Sequence, residues 1–291
     1  MIEQALYQHL QEQESLRPFL AEYDSKMAIF NQSAPSDKDE AWGGESQYGR
    51  IVFYVDLSGD PERTMGGRLA LDILCQDGEQ FPEEIEPILR PLIHGYFFCN
   101  QKFVVSAQWR DTKPFTEPAN KIAGCTVIFD LLAFPISNYA PNVVTQFNEW
   151  SSSFENLLVI NRDQLPTAAW KPKNGQSAIY WRIAKEEQCR WIPTTFSTVW
   201  MTAKVKGYIF SETPAEAAEV ANRIMLRLYA DKRLKKDGEL LRAGESPVMV
   251  NRNITVDTGA DPLKVGQLTI EATYGAVIYG DRDTVLNNFN Y

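Results

Sequence analysis

At 291 residues the chain predicts about two domains of the usual 100 to 200 residues, and 44% hydrophobic with 23% charged residues is the composition of a folded globular protein, not a disordered one. With 29 basic residues against 38 acidic ones the net charge is −9, which argues against a nucleic-acid reader that works by neutralising phosphates. No apolar run approaches the roughly 20 residues that span a bilayer, and Met1-Ile2-Glu3-Gln4 lacks the basic, apolar start of a signal peptide, so the expectation is no membrane and assembly in a cytoplasm.

Ala5, Leu6, Leu10, Leu16, Phe19 and Leu20 recur near the helical period and predict one helix or two short ones covering a sheet. Asn31 to Glu40, followed by Gly43-Gly44, holds almost nothing to bury and predicts an exposed loop. Trp42 sits in that loop, where an aromatic is a candidate subunit contact. Ile51 to Leu57 and Leu69 to Cys75 predict two strands joined through the turn Ser58-Gly59-Asp60-Pro61, with Gly66-Gly67-Arg68 read as a plain turn. Phe81-Pro82-Glu83-Glu84 places Pro and acids at a helix start, and Ile85, Ile88, Leu89, Leu92 and Ile93 continue its apolar face. Phe103-Val104-Val105 and Cys125 to Phe129 predict strands separated by a polar loop containing Pro114 and Pro118.

Sliding the chain by 132 residues lays Tyr48, Arg50 and Ile51 on Tyr180, Arg182 and Ile183, and matches Pro61 with Pro193, Pro82 with Pro214 and Glu84 with Glu216. On that alignment the strand around Leu71 faces Met201 to Val205, and the helix of Glu83 to Ile93 faces Ala215 to Met225. Beyond an insertion, Lys235 to Glu245, Asp111-Thr112 falls on Asp257-Thr258 and Gly124 on Gly266, each followed by a β-rich run. The order of matches predicts a tandem duplication, with two related α+β domains at residues 1–140 and 141–291, each a mainly antiparallel sheet covered by helices. The boundary falls between Pro135 and Pro141, or at Asn174 to Ser177 if the segment from Asn142 to Ile160 packs on the first domain.

Catalytic material is sparse. Ile254-Thr255-Val256-Asp257-Thr258-Gly259-Ala260-Asp261 resembles the active-site loop of aspartic proteases, but that chemistry needs two aspartates sharing a proton, and the counterpart Asp111-Thr112-Lys113 lacks the glycine. The competing reading is an Asx-type turn with Gly259 at positive φ. Cys75, Cys99, Cys125 and Cys189 form no CxxC pair and the only histidines are His9 and His94, so buried free thiols and a structural His94 are expected, with neither a zinc site nor disulfides. Glu83, Glu84 and Glu86 are a metal-site candidate that a helix N-terminus explains equally. The seven tryptophans are dispersed, unlike a base-stacking platform.

Gly67-Arg68-Leu69-Ala70-Leu71-Asp72-Ile73 and Phe81 to Ile93 in the first copy, and Ile224 to Tyr229 with Val250 to Tyr274 in the second, make each copy similar to the tail terminator or tail completion proteins of long-tailed bacteriophages. The resemblance is a pattern of elements over roughly 200 residues without an invariant motif, and this chain departs from the family in carrying two copies. It implies a non-enzymatic virion protein of the tail, without cofactor, metal or catalytic residue. It further implies a homo-oligomeric ring, a hexamer or a trimer imitating sixfold symmetry, that binds the tail tube protein and the head-tail connector protein. DNA would slide through such a ring without specific binding, which suits an acidic chain. Two other readings are another structural role on the particle (tube, baseplate or head completion) and a hydrolase using Asp257.

Overall fold

The computed structural model describes residues 2–43, 47–58, 66–99, 103–135, 142–161, 169–184, 190–193, 198–231, 233–234, 249–261, 263 and 265–277. The turn at Gly59 to Pro61, the insertion Lys235 to Glu245 and Cys189 lie outside the described residues. The chain divides into two compact units, Met1–Ile136 with Leu165–Lys171, and Ser137–Gln164 with Pro172–Tyr291. Both are α+β with mainly antiparallel sheets.

The first unit runs α1 (Ile2–Gln11), the short hairpin β1 (Glu22–Tyr23) and β2 (Lys26–Met27), then β3 (Ile29–Asn31), β4 (Arg50–Ser58), β5 (Gly66–Gln76), α2 (Pro82–Ile93), β6 (Phe97–Cys99), β7 (Phe103–Glu117) and β8 (Ile122–Pro135). Its six-stranded sheet has the order β3-β4-β5-β8-β7-β6, with β3 parallel to β4 and every other pair antiparallel. Alternation decides the faces: Leu69, Leu71, Ile73 and Cys75 of β5 are buried while Arg68, Ala70 and Asp72 are not. The buried face meets Ile85, Leu89 and Ile93 of α2 and Ile2, Leu6 and Leu10 of α1, both spaced i, i+4, i+8 so that one stripe of each helix reaches the core. Pro87 and Pro91 sit on the exposed side of α2, where the carbonyls they leave unbonded reach water.

Two expectations are corrected here. The polar stretch with Pro114 is not a loop but the continuous second half of β7, whose Asp111 to Glu117 pair with Ile128 to Ile122 of β8. It reads as polar because only Val104, Val105 and Cys99, Phe98, Phe97 with Ser106 form the β6 ladder, leaving the rest of β7 as an edge where proline is tolerated. Gly66-Gly67-Arg68 is not a turn but the start of β5. A Cβ at Gly67 would lie 2.1 Å from the carbonyl oxygen of Asp56, so the glycine serves a close backbone approach across the β4–β5 hairpin.

The second unit runs α3 (Asn142–Ser151), β9 (Leu157–Val159), β10 (Ser177–Ile183), β11 (Arg190–Pro193), β12 (Thr198–Phe210), α4 (Pro214–Ala230), β13 (Arg233–Leu234), β14 (Met249–Val256) and β15 (Leu268–Val277). Its sheet has the order β9-β10-β12-β15-β14-β13, with β9 parallel to β10, the remaining pairs antiparallel, and β11 paired with β12. Apart from β11 and the β1–β2 hairpin, which have no counterpart among the described residues, this is the connectivity of the first unit, with a helix before the parallel strand and a second helix after the third strand of each path. The cross-strand pairs Arg50↔Leu74 and Ile51↔Ile73 map onto Arg182↔Lys206 and Ile183↔Val205 at the 132-residue shift, as Pro82 of α2 maps onto Pro214 of α4.

The later matches do not hold. Asp111 lies inside β7, whereas Asp257 follows the end of β14. Gly124 lies inside β8, whereas Gly266 precedes β15 at φ 78°. The strands β7 and β14 do share one irregularity each, at Trp109/Asp111 and Arg252/Thr255, one extra residue on each strand against its neighbour.

The two helix starts differ. Thr213 caps α4 with a full capping box, its hydroxyl accepting from Glu216 N (3.2 Å) while the Glu216 carboxylate accepts from Thr213 N (3.2 Å), a motif whose cap is worth about 1 kcal/mol. At the same position before α2 stands Phe81, with no side-chain cap.

Candidate functional site

Among the described residues each sheet leaves backbone without a neighbouring strand. Among the described residues β3 covers only Ile51 to Phe53 of β4, and β9 covers only Ser177 to Ile179 of β10. On the opposite side β6 ends at Ser106 of β7, and β13 ends at Val250 of β14. The free length of β7 carries a bulge, Lys113 and Pro114, devices that oppose random strand addition. The open length of β4, Tyr54 to Leu57, has none of them except Asp56, and Tyr54 is exposed there.

The residues singled out from the sequence separate into local roles. Asp257 Oδ1 accepts from Gly259 N (3.1 Å), and its own N–H donates to Gln267 O (2.8 Å), so the carboxylate closes an Asx turn. Gly259 is not among the positive-φ glycines, so that part of the turn reading is corrected; Gly266 supplies the left-handed residue nearby. Asp111 Oδ1 accepts from Thr112 N (2.9 Å), and Asp111 also stands 3.9 Å from the Lys113 ammonium. Among the described residues neither aspartate is paired with a second carboxylate. Replacing Asp257 by Asn keeps an acceptor for Gly259 N–H, and the expected result is a change in unfolding free energy within about 0.5 kcal/mol with assembly unchanged. Denaturant unfolding and sedimentation check it.

Glu86 accepts from Thr112 Oγ1 (3.1 Å) and pairs with Arg90 (3.4 Å), while Glu83 and Glu84 are exposed in the first turn of α2. Among the described residues no group of three or more His, Cys, Asp or Glu is placed to hold a metal ion. His94 ends α2, and its Nδ1 accepts from Trp109 N (3.0 Å). Desolvation, then Lys171 and Arg90, hold its pKa below the usual histidine value, which keeps that acceptor neutral. His9 Nε2 donates to Leu92 O (2.7 Å) and ties α1 to α2. Burial pushes the Cys75 and Cys125 thiols up to about 12 and Cys99 up to about 11, with Glu83 and Glu84 adding to the effect at Cys75, so all three remain protonated and unreactive.

Trp42 is a correction. It is buried, its Nε1 donates to Ser36 O (3.1 Å), and Tyr23 and Phe30 stand edge-on to its ring, so the loop folds over its own aromatic instead of offering it to a neighbour. Sequence reasoning missed two glutamines, Gln267 buried and Gln80 half-buried. Gln80 accepts from Gly49 N (3.1 Å) and donates to Phe19 O (2.8 Å), and Gln267 accepts from Ile209 N (2.9 Å) and donates to Ile209 O (2.8 Å). Each completes main-chain pairing where a strand partner stops, a role no short motif encodes.

No family model, curated protein or solved structure matches the chain.

Charge distinguishes the two halves. Residues 1–140 hold 21 acidic and 11 basic residues, a net charge of −10, whereas residues 141–291 hold 17 and 18, a net charge of +1. The partly exposed sheet faces follow the same trend: Asp56, Asp72 and Asp130 with Arg68 in the first unit, Arg182, Lys204 and Lys206 with Glu271 in the second. At the 132-residue shift the outward Asp72 corresponds to Lys204. The described residues thus present open strand edges and outward faces of unlike charge.

Proposed function

We propose that this chain is a structural virion protein of a bacteriophage tail, built from two copies of one ancestral fold, and that it self-associates into a ring which terminates the tail tube and meets the head connector. The observation that carries the reading is the shared connectivity: two sheets with one strand order, one parallel pair in the same place and helices inserted at the same points. Doubling a ring-forming subunit halves the number of chains a ring needs, and open sheet edges are satisfied by neighbours in a closed assembly. An acidic first half suits a channel that DNA must traverse without sticking.

Sedimentation velocity and negative-stain imaging of the purified full chain test the proposal. The expected particle is an annulus of three or six chains. A chain that stays monomeric at about 50 µM, far above the affinity of a standard-size interface, overturns it.

A further inference from the structure

Where β7 runs past its pairing with β6, a side chain takes over as hydrogen-bond partner. Beyond the pair Phe97↔Ser106 the chain leaving α2 still accepts Ala107 N–H at Tyr96 O (3.2 Å) and donates Gly95 N–H to Ala107 O (2.8 Å). At Trp109 the acceptor is no longer main chain but Nδ1 of His94, the residue that ends α2 (3.0 Å). Trp109 is also where β7 bulges against β8.

The same bulge is gripped by a row of α2 side chains spaced i, i+4 and i+8. Glu86 pairs with Arg90 (3.4 Å) and accepts from Thr112 Oγ1 (3.1 Å), which itself accepts from Trp109 Nε1 (3.1 Å). The Arg90 guanidinium lies over the Trp109 ring, 4.8 Å from its centroid. His94 completes the row, and its link is the one that titrates near neutral pH.

Protonation reverses the polarity of that link. An imidazolium carries hydrogen on both ring nitrogens, so Nδ1 would meet the Trp109 N–H donor to donor. The charges acting on the ring oppose it too: Lys171 from the segment 169–171, and Arg90 one turn back on α2. Of the other charges on these elements, Glu86 is engaged by Arg90 and Thr112, Arg110 by Asp130 (3.1 Å) and Asp111 by Lys113 (3.9 Å). Among the described residues no carboxylate pairs with the imidazole. Desolvation and the two cations lower the folded-state pKa. The stability the contact adds is therefore fully present above about pH 6.5 and is lost as pH falls toward the folded-state value.

We infer that His94 is an acid-released latch, whose protonation frees Trp109 and the adjoining edge of β7 from the end of α2 while the β7–β8 ladder stays paired. The device lies wholly within the first unit and does not depend on the assembly proposed above.

Hydrogen exchange of the full chain, corrected for the intrinsic effect of pH, reads the latch at the Trp109 amide. Protection there is expected to fall about fivefold or more between about pH 7.5 and about pH 5.0. His94→Asn offers an acceptor where Nδ1 stood and does not titrate, so its protection is expected to be the same at both pH values. A wild-type amide equally protected at both, or an acid response that survives in His94→Asn, overturns the inference. A second measurement needs no change at position 94. His9 and His94 are the only histidines, so ring-labelled chain gives two NMR titrations, told apart with His9→Gln. The His94 ring is expected to titrate below about 6.5, and a midpoint at or above that value overturns the latch.

Discussion

Replacing Trp181 by alanine is expected to destabilise the second unit by about 3–5 kcal/mol, seen as a fall in the urea midpoint with the slope retained. The side chain is 2% exposed, stacks on Phe147 with ring centroids 4.8 Å apart, and donates from Nε1 to the buried Ser151 Oγ (2.8 Å). Its ring also lies over Gly207 of β12, where a Cβ would come within 2.5 Å of it. Alanine therefore removes the volume between α3 and the sheet, orphans the serine and uncovers the glycine backbone. Trp181→Phe keeps a ring over Gly207 but loses the hydrogen bond, and a smaller loss of about 1–2 kcal/mol is expected. Gly207→Ala attacks the same contact from the other side and is expected to cost about 1–3 kcal/mol through overpacking. A Trp181→Ala midpoint indistinguishable from wild type would mean that this packing contributes nothing to the fold.

Gln267→Ala is the second large effect, expected at about 2–4 kcal/mol, because it leaves both the N–H and the C=O of Ile209 without a partner in a buried place. The ladder between β12 and β15 starts at Gly207↔Leu268, so beyond it the glutamine side chain stands in for a strand. Leucine at 267 fills the volume and still orphans both groups, so it should be no better than alanine. Exchange of the Ile209 amide reports the site directly: strong protection in the wild type is expected to fall by about two orders of magnitude or more in the variant, in line with the lost free energy. Protection that survives the substitution would show that the main chain finds another partner.

Much of the architecture was legible because burial writes a period into sequence. Ile85, Leu89 and Ile93 announce α2, and Leu69, Leu71 and Ile73 announce β5, since each faces one core. The 132-residue shift was legible where the two units keep the same ladder, around Arg50 and Arg182, and the matches failed past the insertion Lys235 to Glu245, where Asp111 lies inside a strand and Asp257 beyond the end of one. The second half of β7 was invisible because an edge strand wears the polar residues and proline of a loop. Trp42 misled for the opposite reason: a small satellite of Tyr23, Phe30 and Trp42 buries aromatics far from the periodic segments that signal a main core. The candidate site was half legible. Glu83, Glu84 and Glu86 stood out by composition, but only the fold shows that Glu86 is taken up by Thr112 and Arg90 while the other two face solvent.

The unequal helix starts, Thr213 in one unit and Phe81 in the other, also set how firmly each helix begins. The capping box holds the first turn of α4 from both sides, whereas α2 has no side-chain acceptor at its head and relies on the first-turn carboxylates Glu83 and Glu84. On warming, fraying would start at the head of α2 and spare that of α4.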